Sequence, residues 1–522
     1  MSKTTPVSFT GRSSRRRSRQ VYPAVGVALA IAVVSACGSG DSSSSGGGAK
    51  GTGGKGMARF GVAVPLNDWE TIDRANSTYT ALVYEGLVGL AKDGVTIEPK
   101  LAKSWKETAK EITFQLEKGV VFQDGTPFDA AAAVKNLERM KASKGQWTSV
   151  MAPVTAIEAV GTDQVKISLK SPAPNLVPNL ARSQGYMISP KALDAGDWAK
   201  KPSGTGPFVY DAGASVAGSK VVAKAFDKYR DAKDLKVGGV EVHFINDPDS
   251  LMNGLRSGQL DIAYTTAPYV ERAKQNDLSL LTYKQSIFHL LMYDTEGVFA
   301  EPKVRQAICT AMDPQEIVDA QFNGMSKVHQ QRMGEGQQGY NPSVKGYPHD
   351  VEAAKKLMAE AGNPKVSFTL PTYDIQRTVA ELFRDQMKQI GVDVKLDMMT
   401  WGQYYTVYNN GKYPAAIMAD FGDASVYDYY LYKFGPSGAG NPKKNAYPEL
   451  DSAVERALAA PDAKAADKAW QDMTKTINDQ ALDCGFHEAQ SFWAYNGKTV
   501  DNVQGTPTLP SVIRYWELES KR

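Results

Sequence analysis

The sequence predicts an α/β protein divided into two or three lobes. At 522 residues the chain is too long for one hydrophobic core, because cores stop growing at roughly 250–300 residues. Residues 239–264 read as a strand, a helix ended by Ser257-Gly258 and a second strand, an order that predicts parallel strands. Residues 349–399 alternate helix and strand again, with helices ended at Gly362 and Gly391, so the C-terminal half is also α/β.

Local patterns define the next elements. Residues 112–116 alternate between apolar and polar, the period of a half-buried strand, and we expect them to pair with a second short strand at Val120–Phe122. Asp129 is placed to accept hydrogen bonds from the first turn of a following helix. Asp249 or Ser250 can cap the helix of the strand-helix-strand unit in the same way.

The charge distribution excludes a nucleic-acid-binding surface. The net charge is +3, yet six of the 60 basic residues precede Cys37, where no acidic residue occurs. The rest of the chain carries 54 basic against 57 acidic side chains. With 42% hydrophobic and 22% charged residues, the composition is that of a soluble globular protein without a basic patch.

The N-terminus carries the pattern of a lipoprotein export signal. Residues 21–34 form an apolar run of 14 residues, the length of a signal-peptide core and short for a membrane span. The run ends in Val34-Ser35-Ala36-Cys37, which resembles the signal whose cysteine receives diacylglycerol before cleavage. We expect residues 1–36 to be the signal peptide and residues 37–56 to be lipidated Cys37 with its Gly/Ser-rich tether. An unmodified cysteine is the alternative.

Cys309 and Cys484 are the remaining cysteines. The oxidising conditions outside the cytoplasm permit a disulfide between them. Cys309 also lies in a helix-like run, where a small buried thiol is equally ordinary. The sequence leaves both states open.

Five short elements resemble those of family 5 extracellular solute-binding proteins, which include the oligopeptide- and dipeptide-binding receptors of ABC importers. They are YEGL at 84–87, PKLAKSW at 99–105, TFQLEKGVVFQDGTP at 113–127, GTGPF at 204–208 and VRQAI at 304–308. The resemblance runs from about Val83 to the C-terminus. It implies a two-lobed, type II periplasmic-binding-protein-like fold, with a hinge between the lobes and an extra subdomain inserted in the first lobe.

The resemblance also implies domain boundaries. Lobe I comprises residues 57–90, 186–285 and 485–522. The inserted subdomain comprises residues 91–185, and lobe II comprises residues 286–484.

An aromatic cluster is one candidate ligand site. Trp401, Tyr404, Tyr405 and Tyr408 share one face if they lie on a helix, and 8 of the 24 tyrosines lie within 401–432. Such a face is more often core than binding surface. Because each buried tyrosine hydroxyl needs a partner, the cluster also suits a cleft that binds an organic ligand.

Two further segments are candidate contacts. The segment Ala419-Asp420-Phe421 resembles the family segment whose aspartate meets the α-ammonium of a peptide, and Asp423 is the nearest competitor. The alternative for Asp420 is an exposed aspartate that caps the next turn. The glycines of Gly204-Thr205-Gly206 allow the backbone to approach a ligand or another strand closely.

The resemblance implies a monomeric receptor that takes short peptides into the interlobe cleft and delivers them to an ABC permease with its ATPase. The alternatives are another solute of the same receptor class (an opine, a metal chelate or an oligosaccharide), a secreted hydrolase, and a receptor used for signalling or adhesion. No Gly-x-Ser-x-Gly elbow occurs, and the five histidines lack paired ligand spacing. We therefore expect binding without catalysis, metal or cofactor.

Overall fold

The computed structural model describes residues 55–522 except 64, 67, 72–76, 144–145, 408–409, 421–424, 437, 439 and 508. The side chains of residues 146, 284–286, 375, 401–402, 405, 419–420, 489 and 509–511 also lie outside the description. The lipidation site predicted at Cys37 therefore lies outside the described residues.

The strands are, in chain order, β1 (Met57–Val62), β2 (Val88–Leu90), β3 (Ile97–Pro99), β4 (Ala102–Glu107), β5 (Glu111–Leu116), β6 (Val154–Val160), β7 (Gln164–Leu169), β8 (Phe208–Tyr210), β9 (Lys220–Ala225), β10 (Gly239–Phe244), β11 (Ile262–Thr265), β12 (Ser279–Met292), β13 (Ser367–Tyr373), β14 (Asp393–Met399), β15 (Ala415–Asp420), β16 (Asp483–Tyr495), β17 (Val500–Asp501), β18 (Gly505–Thr506), β19 (Leu509–Ile513) and β20 (Glu519–Ser520).

The helices are α1 (Ser77–Val83), α2 (Ala130–Ala142), α3 (Gln146–Val150), α4 (Leu176–Leu180), α5 (Pro190–Ala195), α6 (Pro248–Ser257), α7 (Val270–Gln275), α8 (Pro302–Ala311), α9 (Pro314–Phe322), α10 (Val351–Glu360), α11 (Arg377–Lys388), α12 (Trp401–Val407), α13 (Val426–Lys433), α14 (Pro448–Leu458) and α15 (Ala463–Asp479).

The main sheet has the strand order β15-β12-β16-β11-β1-β10-β9-β8. The predicted strand-helix-strand unit is β10-α6-β11, and both of its strands run parallel to β1, which lies between them. The parallel arrangement is therefore confirmed. The strand that separates the two comes from the start of the folded chain, which the local pattern does not reveal.

Two long strands cross from one half of this sheet to the other. β12 and β16 pair antiparallel from Ser279 opposite Tyr495 to Leu291 opposite Asp483. β11 pairs with the C-terminal end of β16, and β15 pairs with the C-terminal end of β12. The register of the crossing pair shifts between Lys284 and Ser286. These strands are the natural position for a hinge, because they alone carry the ladder from β11 to β15.

A separate antiparallel sheet has the order β4-β5-β7-β6. The predicted alternation in β5 is confirmed, because Ile112, Phe114 and Leu116 are buried. The expected pairing of Val120–Phe122 with this strand is wrong. Both edges of β5 are occupied by β4 and β7, and the short run instead folds back locally through a bridge between Val121 and Pro127.

The helix caps follow the predicted chemistry, with one correction. Asp129 Oδ1 accepts from Ala132 N at 2.9 Å at the start of α2. The cap of α6 is Asp247, whose Oδ2 accepts from Ser250 N at 2.9 Å, and not Asp249 or Ser250. Pro248 begins α6, and proline favours an extended residue before it, which places the cap there.

Cys309 and Cys484 form a disulfide. It joins α8 to the start of β16, where Cys484 is the second residue, and both cysteines are 2% exposed. The question that the sequence left open is thus answered in favour of pairing. The bond connects the helical layer of the C-terminal half directly to a crossing strand.

Candidate ligand-binding site

α13 and α4 meet through one carboxylate and two amides. Asn175 Nδ2 donates to Asp428 Oδ1 at 2.7 Å, and Asn179 Nδ2 donates to Oδ1 at 3.0 Å and to Oδ2 at 3.2 Å. All three residues are buried: Asn175 is 1% exposed, Asn179 is 3% exposed and Asp428 is 4% exposed. Asn175 stands at the N-cap position of α4 without a side-chain capping bond, and Asn179 lies four residues on, so both amides share a face. The contact joins the predicted inserted subdomain to the predicted lobe II.

The first turn of α13 orients this carboxylate. Ser425 Oγ accepts from Asp428 N at 3.1 Å and donates to Asp428 Oδ2 at 3.1 Å. A negative charge in the first turn of a helix is also stabilised by the helix dipole. Asp428 is therefore held by its own helix in the position from which it accepts the two asparagine amides.

α13 is also tied to both crossing strands. Tyr429 Oη donates to Asp483 Oδ2 at 2.6 Å, and His289 Nδ1 donates to Asp483 Oδ1 at 2.6 Å. His289 belongs to β12 and Asp483 to β16, and both are 1% exposed. The helix that carries Asp428 is thus rigidly connected to the strands at which the two halves join.

Asp420 is the last residue of β15, where its backbone lies opposite Ile287 of β12. Its side chain lies outside the described part, and Asp423 falls in residues 421–424, outside the described residues. The connection that both occupy leads into α13, whose third residue is Asp428. Asp420 and Asp428 are therefore separated by seven residues in sequence.

Tyr404 is buried beneath β15. Its hydroxyl donates to Ile417 O at 2.6 Å, and its ring centroid lies 4.9 Å from that of Tyr373. Burial raises the pKa of Tyr373 to about 12, so this phenol stays protonated at neutral pH. The side chains of Trp401 and Tyr405 lie outside the described part, so their proposed contact with ligand stays a prediction, as does that of Tyr404.

Gly204-Thr205-Gly206 approaches the end of α1. A Cβ on Gly204 would lie 2.1 Å from Val83 O, and Gly206 N donates to Val83 O at 2.8 Å. Thr205 Oγ1 donates to Glu85 Oε2 at 3.2 Å. The close approach that the glycines permit is therefore made to this backbone, and a ligand contact stays a prediction.

Sequence reasoning missed Asn175, Asn179 and Asp428. The asparagines stand in a proline-punctuated segment at a spacing of four, and Asp428 follows the capping residue Ser425 by three. Both are weak local signals. The residues lie 249 and 253 positions from Asp428 in sequence, so no local pattern connects them.

Two α/β halves that share two crossing strands, with a polar contact between them, define a two-lobed solute-binding protein. The family model described as bacterial extracellular solute-binding proteins, family 5 Middle, matches residues 96–442. The chain belongs to this family. It is therefore an extracytoplasmic substrate-binding protein of the ABC-transporter type.

Curated relatives agree with this assignment. The glutathione-binding protein GsiB of Pectobacterium atrosepticum is 30% identical over 356 residues, which cover 65% of this chain and 68% of GsiB. GsiB of Escherichia coli K12 is 28% identical over 355 residues, with the same coverage of both chains.

Solved structures share the fold. AgaA of Agrobacterium tumefaciens R10, solved with agropinic acid, has a TM-score of 0.80 at 23% identity and covers 90% of this chain and 99% of its own. DppA of Helicobacter pylori, solved with the peptide STSA, has a TM-score of 0.78 at 21% identity, with 90% and 98% coverage. At these identities the likeness concerns the fold alone.

No described helix combines the length and apolar character needed to cross a bilayer. Within the same residues, no group of three or more His, Cys, Asp or Glu side chains is arranged to hold a metal ion.

Proposed function

We propose that the protein captures short peptides with a free α-amino group between its two lobes and delivers them to an ABC permease. Glutathione, a tripeptide with such a group, is the first solute to test because the curated relatives carry that specificity in their names. Asp420 provides the anchor for the ammonium, with charge-assisted hydrogen bonds of about 1.5–3 kcal/mol each.

One observation carries the proposal. Asp420 ends β15 at the edge of the main sheet, and α13, which carries the buried contact between Asp428 and Asn175, begins six residues later in sequence. An ammonium at Asp420 would lie beside the place where the halves meet. A ligand held there interacts with both halves at once, which is the requirement for ligand-driven closure.

The proposal includes a lipid anchor at Cys37, after a signal peptide of residues 1–36. The thiol would carry diacylglycerol and hold the receptor on the extracytoplasmic face of the membrane. Metabolic labelling with a radioactive fatty acid tests it: the wild-type chain incorporates label, and Cys37→Ser does not. Equal labelling of the two would contradict the anchor.

Thermal melting of the full chain in detergent tests the ligand. At 100 times its dissociation constant, a ligand adds about 2.7 kcal/mol to the native state. With an unfolding entropy of about 2.1 cal/mol/K per residue over roughly 470 folded residues, the midpoint rises by about 3 °C. Glutathione and trialanine are compared with their N-acetylated forms, an opine, a nickel chelate and an oligosaccharide.

We expect free-amine peptides to raise the midpoint, N-acetylated peptides to have no effect, and Asp420→Asn to abolish the shift. Asp385→Asn is the matched control, since this exposed aspartate of α11 pairs only with neighbouring Arg384 among the contacts of the described residues. A shift with the opine, the chelate or the sugar, and none with peptides, would overturn the peptide assignment.

A further inference from the structure

The segment that follows α4 buries polar side chains. Arg182, Ser183 and Gln184 are 3%, 2% and 3% exposed, although residues of these types are mostly found at protein surfaces. Ser183 and Gln184 form a short 3-10 turn with Gly185. Together with Asn175 and Asn179, this segment buries five polar side chains within ten residues.

Gln184 is the distinctive member of this set. Among the described residues, neither its Nε2 nor its Oε1 has a hydrogen-bond partner, and the same holds for Ser183 Oγ and Asn175 Oδ1. Buried polar groups in folded proteins are almost always hydrogen-bonded, because leaving one unpaired costs its full desolvation. An amide enclosed with both ends unpaired therefore needs a partner from outside the described residues, and a ligand is one such partner.

The position of this turn agrees with such a role. It contacts both α4 and α1. The asparagines of α4 contact Asp428, which follows the loop after Asp420. The turn therefore belongs to the segment of the predicted subdomain that approaches the predicted lobe II.

The chemistry of these groups selects a class of ligand. A glutamine amide offers two N–H donors and a carbonyl acceptor and carries no charge. Its complement is another amide, which offers one C=O and one N–H. An unsubstituted sugar offers hydroxyls and does not present this matched pair.

We propose that Gln184, assisted by Ser183, binds a backbone amide of the ligand, so that the site distinguishes a peptide bond from other polar groups. This inference rests on the proposed capture of peptides and names the feature that is recognised. Asp420 would fix the amino end of the ligand, while Gln184 would read the amide from the opposite side of the site.

Calorimetric titration of the full chain in detergent tests the inference. The probes are glutathione, trialanine and the trialanine analogue in which an ester oxygen replaces the second amide N–H. We expect the wild type to bind trialanine about tenfold more tightly than the ester, which corresponds to about 1.4 kcal/mol. We expect Gln184→Met to bind trialanine about tenfold more weakly than the wild type does. The variant should bind trialanine and the ester with equal affinity.

Gln386→Met is the matched control. Gln386 is equally buried at 3% exposure, but its amide is satisfied by Asp313 and Glu316. This substitution should lower the melting midpoint and leave peptide affinity unchanged. Gln184→Met should weaken peptide binding and leave the melting midpoint unchanged. An isosteric apolar side chain in place of an unpaired amide does not destabilise the unliganded protein.

Each outcome has a defined meaning. If the wild type and Gln184→Met bind trialanine and its ester with the same preference, Gln184 does not read the amide and the inference is overturned. If the wild type binds neither glutathione nor trialanine, the proposed function fails first. If Gln184→Met does not fold, Ser183→Ala is titrated instead, and unchanged discrimination in that variant overturns the inference.

Discussion

The contact between Asp428 and α4 should govern how tightly the protein holds its ligand. We expect the receptor to have an open form, in which α4 and α13 separate and water solvates their polar groups. In the closed form Asp428 accepts amides from both Asn175 and Asn179. Asp428→Ala removes both bonds from the closed form, whereas its bond to Ser425 and its interaction with the helix dipole are lost from both forms alike.

The magnitude follows from the geometry. Hydrogen bonds to a charged group contribute about 1.5–3 kcal/mol each, so we take about 3 kcal/mol as the shift in closure when two are lost. If the ligand binds the closed form, its dissociation constant rises by as much as about 150-fold. The dissociation rate should carry the change, because encounter takes place in the open form.

Stopped-flow binding and small-angle X-ray scattering measure the two parts of this effect. We expect Asp428→Ala to dissociate faster and to retain the larger radius of gyration at ligand concentrations that close the wild type. Asp462→Ala is the control: Asp462 caps α15 through Ala465 N at 2.8 Å, and its loss costs about 1 kcal/mol of stability. Equal dissociation rates in both variants and the wild type would refute the argument.

Three other predictions follow from the fold. The Cys309–Cys484 disulfide links residues 175 positions apart in sequence. Its reduction should lower the free energy of unfolding by about 2–5 kcal/mol. The double variant Cys309→Ser/Cys484→Ser is the control, and its stability should not respond to reductant. Burial, with smaller contributions from His289 and His329, lowers the pKa of His487 to about 4, below its unfolded value. Stability should therefore fall by up to about 3 kcal/mol between pH 6.5 and pH 4, and urea unfolding of His487→Gln should lose this component. Gly204→Ala should cost about 3 kcal/mol by overlap with Val83 O, while Gly213→Ala, whose Cβ would have no neighbour closer than 3.4 Å, should unfold like the wild type.

The sequence predicted elements whose signals are local. α10 begins after Asp350, whose carboxylate caps it, and Gly362 follows its end with φ 84°. The errors concern choices that depend on distant partners. Val120–Phe122 has the composition of a strand, yet β4 and β7 already occupy both edges of the strand that it was expected to join.

The site residues likewise fall into those that local sequence predicts and those that only tertiary packing reveals. Asp420 and the aromatic residues of α12 are recognisable from short motifs, because a strand end and a helix face are local features. The asparagines of α4 and the buried amide of Gln184 gain meaning only from what lies near them. Asn175 and Asp428 come from different parts of the chain, and only tertiary packing makes the carboxylate the acceptor for both amides.

The polarity of this contact suits a receptor that must open. Within each half, apolar side chains are buried in continuous cores, and separating such surfaces in water costs about 25 cal/mol per Å². Asn175, Asn179 and Asp428 instead exchange their mutual hydrogen bonds for bonds to water when the halves part, so only the few kcal/mol that these bonds contribute oppose opening. Closure of the unliganded protein is then nearly balanced, and a ligand that interacts with both halves can decide it. An apolar contact at the same position would favour the closed form without a ligand. Closure would then no longer depend on solute binding.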